Sequence, residues 1–319
     1  MSYVHKKRSW WRVGWKIVKS HFRRLPFEVI NIFTKKDKLF WLVGVVNKRV
    51  NFIQSIFLGY PAEEKYEEYA MEFLYRWRVR EIMWSPWFCG VIWQNRKLTM
   101  VFSITATDSQ LIDSKNTENL KIVVDRMEKL RQLLGAKSKT FAGILPGVLY
   151  RGKLIHDAHE ADLTAKVVVQ AIDLVKAKES LDTKTPIIVL GGKGFIGRRV
   201  MKLLNESEST AYSIDLMDSQ SNWPHLKGQS VVVVNIAHNS ALKDFIEVFE
   251  PGTIILNEVY PEPEKETLER LRMKNCSYYH VAGAQAKALP SFTGAYKGAI
   301  PCCAAWDAPE IRAIILKMN

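Results

Sequence analysis

The stretch Ile187-Ile188-Val189-Leu190-Gly191-Gly192-Lys193-Gly194-Phe195-Ile196-Gly197 runs four apolar residues into a glycine-rich loop, and residues 198–204 can continue it as a helix. Gly192, Gly194 and Gly197 form a G-x-G-x-x-G pattern. Glycine is needed there because the strand must turn sharply and the backbone must come close to a pyrophosphate held by amides at a helix N-terminus. Alone, the pattern is weak, so its flanks matter. A second strand, residues 211–214, ends at Asp215, eighteen residues past Gly197, where a carboxylate would bond ribose hydroxyls and repel a 2′-phosphate. Further short strands follow at 231–234, 253–256 and 278–281.

These signals predict an α/β fold: a Rossmann-type dinucleotide-binding domain over 181–300 plus a smaller α/β substrate domain over 39–180, with a basic amphipathic N-terminal leader, residues 1–38. A C-terminal helix over 301–319 is expected to return to the cleft. Gly191, Gly192, Gly194, Phe195, Ile196, Gly197 and Asp215 are the expected cofactor contacts. Asn235, Ile236, Ala237, Val259, Tyr260 and Gly283 are expected to rim the ribose and nicotinamide, because ligands lie beyond the carboxyl ends of such strands. NADH is expected over NADPH because of Asp215, although Arg198 and Arg199 stand where they could reach a phosphate.

The 319 residues, 47% apolar, suffice for two ordinary cores. The four cysteines, Cys89, Cys276, Cys302 and Cys303, are too few for a disulfide scaffold and lack zinc-ligand spacing, which fits a reducing compartment and predicts no metal site. No uncharged apolar run is long enough to cross a bilayer. The charge of +13 is uneven: residues 1–38 hold eleven Lys or Arg against Glu28 and Asp37. In a helix over 8–24, Trp11, Trp15, Val18 and Phe22 would share a stripe beside Arg12, Lys16, Lys19 and Arg23, a pattern suited to an anionic membrane surface, to packing on the protein itself or a partner subunit, or less well to nucleic acid. The expected location is cytoplasmic, with peripheral contact on the cytoplasmic face of a membrane, and a homo-oligomer is left open.

Between leader and dinucleotide domain, residues 39–46 read as a buried strand, 50–58 as a short helix and 62–78 as a second helix. Two or three strands follow within 81–106, then a helix over 111–134 ended by Gly135, a Gly- and Pro-marked turn at 140–147, and a long helix over 160–177. Trp84, Trp87, Phe88 and Trp93 are read as core, or else as one wall of an apolar pocket. Pro301 before Cys302 could open a helix whose free amides lower a thiol pKa, although two small buried cysteines are the plainer reading of Cys302 and Cys303.

Several segments together resemble the long-chain acyl-[acyl-carrier-protein] reductases of cyanobacteria, over about residues 39–303. Phe40–Gly44, Gly59-Tyr60 with Tyr66–Tyr69 and Glu72-Phe73, Phe141–Leu145, Asp162–Ala165, Gly191–Gly197 and Asn257–Pro261 stand where that family has characteristic segments. Ile300–Ala305 stands where it has its cysteine segment. The resemblance implies Cys302 as a nucleophile, with Cys303 the fallback, that takes a fatty acyl group from acyl carrier protein or coenzyme A and presents the thioester to hydride, giving an aldehyde. His159 and His238 are the preferred candidates for a general acid, ahead of His156 and His280. Ala305 replaces the family's glutamate, Leu163 its Thr-His-Thr histidine, the chain ends sixteen residues past Cys303, and Asp215 argues against the family's NADPH. Two other readings stay open: a dehydrogenase of the shikimate or amino-acid type, reducing a small carbonyl or imine with inert cysteines, and a membrane-attached binding protein with a vestigial Rossmann domain.

Overall fold

The computed structural model describes residues 26–27, 29–31, 37–61, 83–215, 223–224, 226, 228–238, 240–260, 262–292, 296, 298–306 and 311–319. The leader pattern over 8–24 and the helix expected over 62–78 lie outside the described residues. The chain divides into two compact units, one of residues 1–91 with 100–139, the other of 92–99 with 140–319.

In the first unit, helix α1 (Lys38–Val50) leads to strand β1 (Ile53–Gly59). Both assignments correct the sequence reading, which had a strand over 39–46 and a helix over 50–58. A short apolar run does not distinguish the two by itself. What decides it is burial at helical spacing: Phe40, Gly44 and Asn47 are the buried positions of α1. Gly44 is required there, because a Cβ would come within 1.8 Å of the Leu133 carbonyl oxygen. Conversely, every residue from Ile53 to Leu58 is buried, as in a strand covered on both faces.

Strands β2 (Trp87–Gln94) and β3 (Lys97–Ser103) form a hairpin whose two turn residues, Asn95 and Arg96, both have positive φ, the geometry that matches strand twist. Helix α2 (Thr117–Leu134) follows, ended by Gly135 in the left-handed region, and then β4 (Ser138–Phe141). The strands lie side by side in the order β2-β3-β1-β4. Asn47 ties the layers together. Its buried amide donates to the carbonyls of Ile53, Leu134 and Gly135, and its oxygen accepts from the amides of Phe52 and Ile53. Phe88 is buried as read, with rings of Phe40 and Phe102 within 6.0 Å, whereas Trp93 is 48% exposed.

The second unit contains helices α3 (Leu145–Arg151) and α4 (His159–Lys178), then the sheet. Its elements are β5 (Ile187–Leu190), α5 (Gly197–Glu206), β6 (Ala211–Ile214), β7 (Val232–Asn235), α6 (Ala241–Phe245), β8 (Ile254–Asn257), α7 (Lys265–Met273), β9 (Ser277–Ala284), the short β10 (Lys287–Leu289) and β11 (Ala313–Lys317). The order is β11-β9-β8-β7-β5-β6, with β6, β5, β7, β8 and β9 parallel and β11 antiparallel to β9. The path moves one way from β5 to β6 and the other way from β7 onward. Right-handed crossovers therefore put α5 on one face and α6 and α7 on the other. Ile188, Leu190, Val233, Ile255 and Tyr278 form a core with Leu242, Phe245 and Leu271 on the α6–α7 side. Helix α4 packs on β7, β8 and β9 and on α5, so it belongs to this unit, although the sequence reading put residues 160–177 in the first domain.

The C-terminal helix expected over 301–319 is not formed. Among the described residues, Cys302–Ala304 makes a single 3₁₀ turn and Ala313–Lys317 joins the edge of β9. Adjacent β-branched Ile314 and Ile315 favour that extended form, and the edge amides of β9 gain partners from it. No helix among the described residues is long and apolar enough to cross a membrane.

Candidate functional site

The reversal of strand order in the second unit opens a crevice beyond the carboxyl ends of β5 and β7, the position at which such sheets take ligands. Gly191, at the end of β5, has φ +87, and a Cβ on it would sit 3.0 Å from Ala237 after β7. Gly192 lies against β6, where a Cβ would be 2.3 Å from Ser213 Oγ, and a Cβ on Gly197 would be 2.0 Å from the Gly191 carbonyl oxygen. The three glycines thus bring loop, strand and helix into contact that no larger residue permits. The loop is closed by its own backbone: the Gly194 amide donates to the Gly191 carbonyl at 2.9 Å, and at the start of α5 the Arg198 amide donates to Gly194 at 3.1 Å and the Arg199 amide to Ile196 at 2.9 Å. The buried Ser213 Oγ beneath Gly192 has no hydrogen-bond partner among the described residues.

Asp215 follows β6 directly, and its Oδ2 accepts from the Lys193 amide at 3.0 Å, which fixes the carboxylate beside the loop. Arg199 is not available for a 2′-phosphate. Its Nε donates to Asp162 Oδ1 at 2.8 Å, its Nη1 to the Phe195 carbonyl at 2.9 Å, and its guanidinium lies 4.4 Å from the Phe195 ring centroid. Arg198 is solvent-exposed and lines, with Gly192, Lys193, Lys202 and Ser213, an open groove of about 650 Å³ along the outer side of α5. A cradle that a Cβ would fill, with an acid at the end of the second strand, fits the pyrophosphate and ribose of NAD.

Across the sheet, Leu190, Asn235, Asn257 and His280 are register partners at the carboxyl ends of β5, β7 and β8 and within β9. The three polar residues are buried and bonded to one another. Asn235 Nδ2 donates to Asn257 Oδ1 at 2.8 Å, and Asn257 Nδ2 reaches the Val259 carbonyl at 2.7 Å and His280 Nδ1 at 3.2 Å. Because Asn257 offers N–H to His280, Nδ1 is the acceptor and the ring proton sits on Nε2. Asn235 also accepts from the Ala237 amide at 3.2 Å, shaping the turn against Gly191. Asn235 is thus part of the scaffold under the crevice, while Ile236 and Ala237 are half-buried above it. Gly283, at φ +116, lets Ile300 approach, since a Cβ would sit 1.9 Å from the Ile300 oxygen. The backbone bonds between Ala284 and Ile300 hold the segment that leads to the cysteines.

Cys302 is 7% exposed, and Cys303 is half-buried. Burial, the charge of Glu258 and the neighbouring Cys303 hold the Cys302 thiol well above its ordinary range. Burial pushes Cys303 up to about 12, against a hydrogen bond from the Gly143 backbone, while Glu160 and Glu258 add to the rise. Among the described residues, the side-chain charges that act most on the two thiols are those of Glu258 and Glu160. This departs from the activated thiolate expected after Pro301, because a single 3₁₀ turn has no helix N-terminus to offer and the acids favour the neutral thiol.

The same neighbourhood holds two carboxyls that the sequence reading passed over. Glu160, at the start of α4, is 3% exposed and accepts from the Phe141 amide at 3.2 Å, and burial raises it to about 7. Glu258, one residue past β8, keeps some exposure, yet desolvation raises it to about 8. The charge of Glu258 also reaches Tyr296, whose ring lies 5.1 Å from Tyr260. An acid immediately after a parallel strand was the available signal for Glu258. His238 is exposed and bonds Ser240 at 2.7 Å, and His159 is half-buried at the start of α4, directly before Glu160.

Residues 187–282 match the sequence profile of the NAD dependent epimerase/dehydratase family. The second unit contains a Rossmann-type NAD-binding region. The TT0316 protein of Thermus thermophilus is similar over 70% of this chain and 79% of its own, at 13% identity and a TM-score of 0.27. D-2-hydroxyisocaproate dehydrogenase is similar over 70% of this chain and 76% of its own, at 12% identity and a TM-score of 0.26. No curated protein matches the sequence. The match concerns the dinucleotide region, so the acyl-carrier-protein reductase resemblance is supported only in its coarser content, a Rossmann-type NAD-binding region.

Proposed function

We propose that the chain is an NAD(H)-dependent dehydrogenase that interconverts a small polar carbonyl or imine and its reduced form without a covalent enzyme intermediate. The observation that carries this reading is the acidic, desolvated setting of Cys302 and Cys303 beside two carboxyls raised to near neutrality. Thioester chemistry needs a thiolate and a good leaving thiol, and acids around a buried sulfur oppose both. A carboxyl with a pKa near 7 to 8 can instead donate or accept a proton at working pH.

Gly191, Gly192, Gly194 and Gly197, with the loop backbone between Gly194 and Gly197, would hold the pyrophosphate, and Asp215 the adenosine ribose. When bound, NADH supplies the hydride. Glu258 delivers the matching proton to the substrate oxygen or nitrogen, and takes it back in the oxidative direction. The Asn235–Asn257–His280 row fixes the floor on which Glu258 and Val259 sit, while Glu160 holds the Phe141–Gly143 turn against Cys303.

The test compares Cys302→Ala, Cys303→Ala and Glu258→Gln for NADH oxidation across a panel of small oxo acids, ketones and imines, with NADH binding measured separately. The reading expects turnover in both alanine variants and its loss in Glu258→Gln, with NADH binding retained in all three. A covalent acyl adduct on Cys302 or Cys303, seen by intact mass after incubation with an acyl thioester and no nicotinamide, would restore the thioester reading. Absence of NADH binding in the parent chain would leave a binding protein with a vestigial Rossmann domain.

A further inference from the structure

Helix α1 is apolar on two sides. Phe40, Gly44 and Asn47 are buried, with Gly44 seated against Leu133 at the end of α2. Trp41, Leu42, Val46 and Val50 are 58%, 54%, 50% and 58% exposed. These four, with half-buried Val45, form one continuous outer face. Single exposed apolar residues are ordinary, but four on thirteen residues of one helix are a patch that calls for a partner.

We propose that this outer face of α1 docks on the surface of a bilayer containing anionic lipid, with the helix lying in the headgroup plane. Charge complementarity selects the occupant. Exposed Lys38 stands at one end of the apolar face and exposed Lys48 and Arg49 at the other, and α1 itself contains no acid. The preceding 37 residues carry ten further Lys or Arg against Glu28 and Asp37. Core positions of protein interfaces are depleted of lysine, whereas cations bracketing an apolar helix face, with tryptophan at the boundary, suit an anionic interface. At about 1.5 Å per residue α1 is roughly 20 Å long, too short to cross a hydrocarbon core of about 30 Å. It lies on the membrane and does not span it.

The full chain is floated with vesicles of phosphatidylcholine alone and of phosphatidylcholine with phosphatidylglycerol at about three parts in ten. Binding is expected to the mixed vesicles and not to the neutral ones, and to weaken as salt rises. Trp41→Ser/Leu42→Ser/Val46→Ser, which leaves the buried stripe intact, is expected to lower the partition coefficient at least about tenfold by removing apolar area. Lys48→Glu/Arg49→Glu is expected to lower it at least about threefold while keeping that area. Urea midpoints equal to that of the parent establish that both variants are folded, and the charge variant carries the test if the serine variant is not. Equal binding by parent and folded serine variant would place the contact in residues 1–37 and overturn the proposal. So would a parent that binds neither vesicle, including one that self-associates through this face.

Discussion

Asn235 Nδ2 donates to Asn257 Oδ1 at 2.8 Å between neighbouring parallel strands, and both side chains are completely buried. Asn257 spends its two N–H groups on Val259 and His280, so one side chain links three strands and the turn that carries Glu258. Asn257→Leu would leave the Asn235 amide, the His280 ring nitrogen and the Val259 carbonyl short of partners. Each buried loss costs about 1–3 kcal/mol, so urea unfolding should give a destabilisation of at least about 3 kcal/mol. A loss below about 1 kcal/mol would mean that the row has no structural weight.

Gly197→Ala places a methyl group 2.0 Å from the Gly191 oxygen, a backbone atom that cannot turn aside. The loop must open, and NADH affinity measured by fluorescence titration should fall at least about a hundredfold. Gly252→Ala is the control. That glycine has positive φ, unlike Gly197, and meets nothing within 4 Å, so its substitution should cost stability without touching NADH affinity. Unchanged NADH binding in Gly197→Ala would show that this loop is not the cofactor cradle.

Asp215 is the residue that should separate the two nicotinamide cofactors. Arg199 is committed to Asp162 and Phe195, so among the groove residues a cation for a 2′-phosphate would come from Lys193, Arg198 or Lys202. Asp215→Ser should weaken NADH about tenfold through the lost charged hydrogen bond, and strengthen NADPH by removing a like charge. A ratio of the two dissociation constants that does not move would remove Asp215 from the ribose site.

Glu160 gives the stability a pH dependence of defined sign. Its pKa in the folded chain is raised from 4.5 to about 7 by burial, so between those values the folded state keeps a proton that the unfolded state releases. Stability contributed by the neutral carboxyl is full below the unfolded value and is lost as pH rises through about 7, a loss of about 3 kcal/mol at most. Glu160→Gln keeps an acceptor for the Phe141 amide and has no proton to lose. The variant should match the parent near pH 5 and be more stable near pH 8, by urea midpoint. Parallel pH profiles for the two proteins would contradict the assignment.

The dinucleotide region was legible in the sequence because its signals are local. Four apolar residues, three spaced glycines and an acid at the end of the next strand are each imposed by a nearby backbone constraint, and strands β5, β6, β7 and β8 lie within one residue of where they were read. The first unit was less legible. Residues 39–46 and 50–58 are apolar runs without diagnostic period, and whether each is helix or strand depends on what Gly44 and Asn47 meet on α2.

The thiols show the same division at the site. Pro301-Cys302-Cys303 reads as a helix start that would activate sulfur. Only the fold determines that the helix is a single turn and that Glu160, 143 residues upstream of Cys303, and Glu258 bring their charge to it.

By itself, then, the sequence determined that a strand must turn on glycine into a helix and that Asp215 must stand at the end of the next strand, because those demands act over a few residues. Tertiary structure decided which way Arg199 points, that Asn235, Asn257 and His280 form one row, and that the cysteines sit among acids. Register between distant strands and desolvation are properties of the packed chain, and no local pattern encodes either.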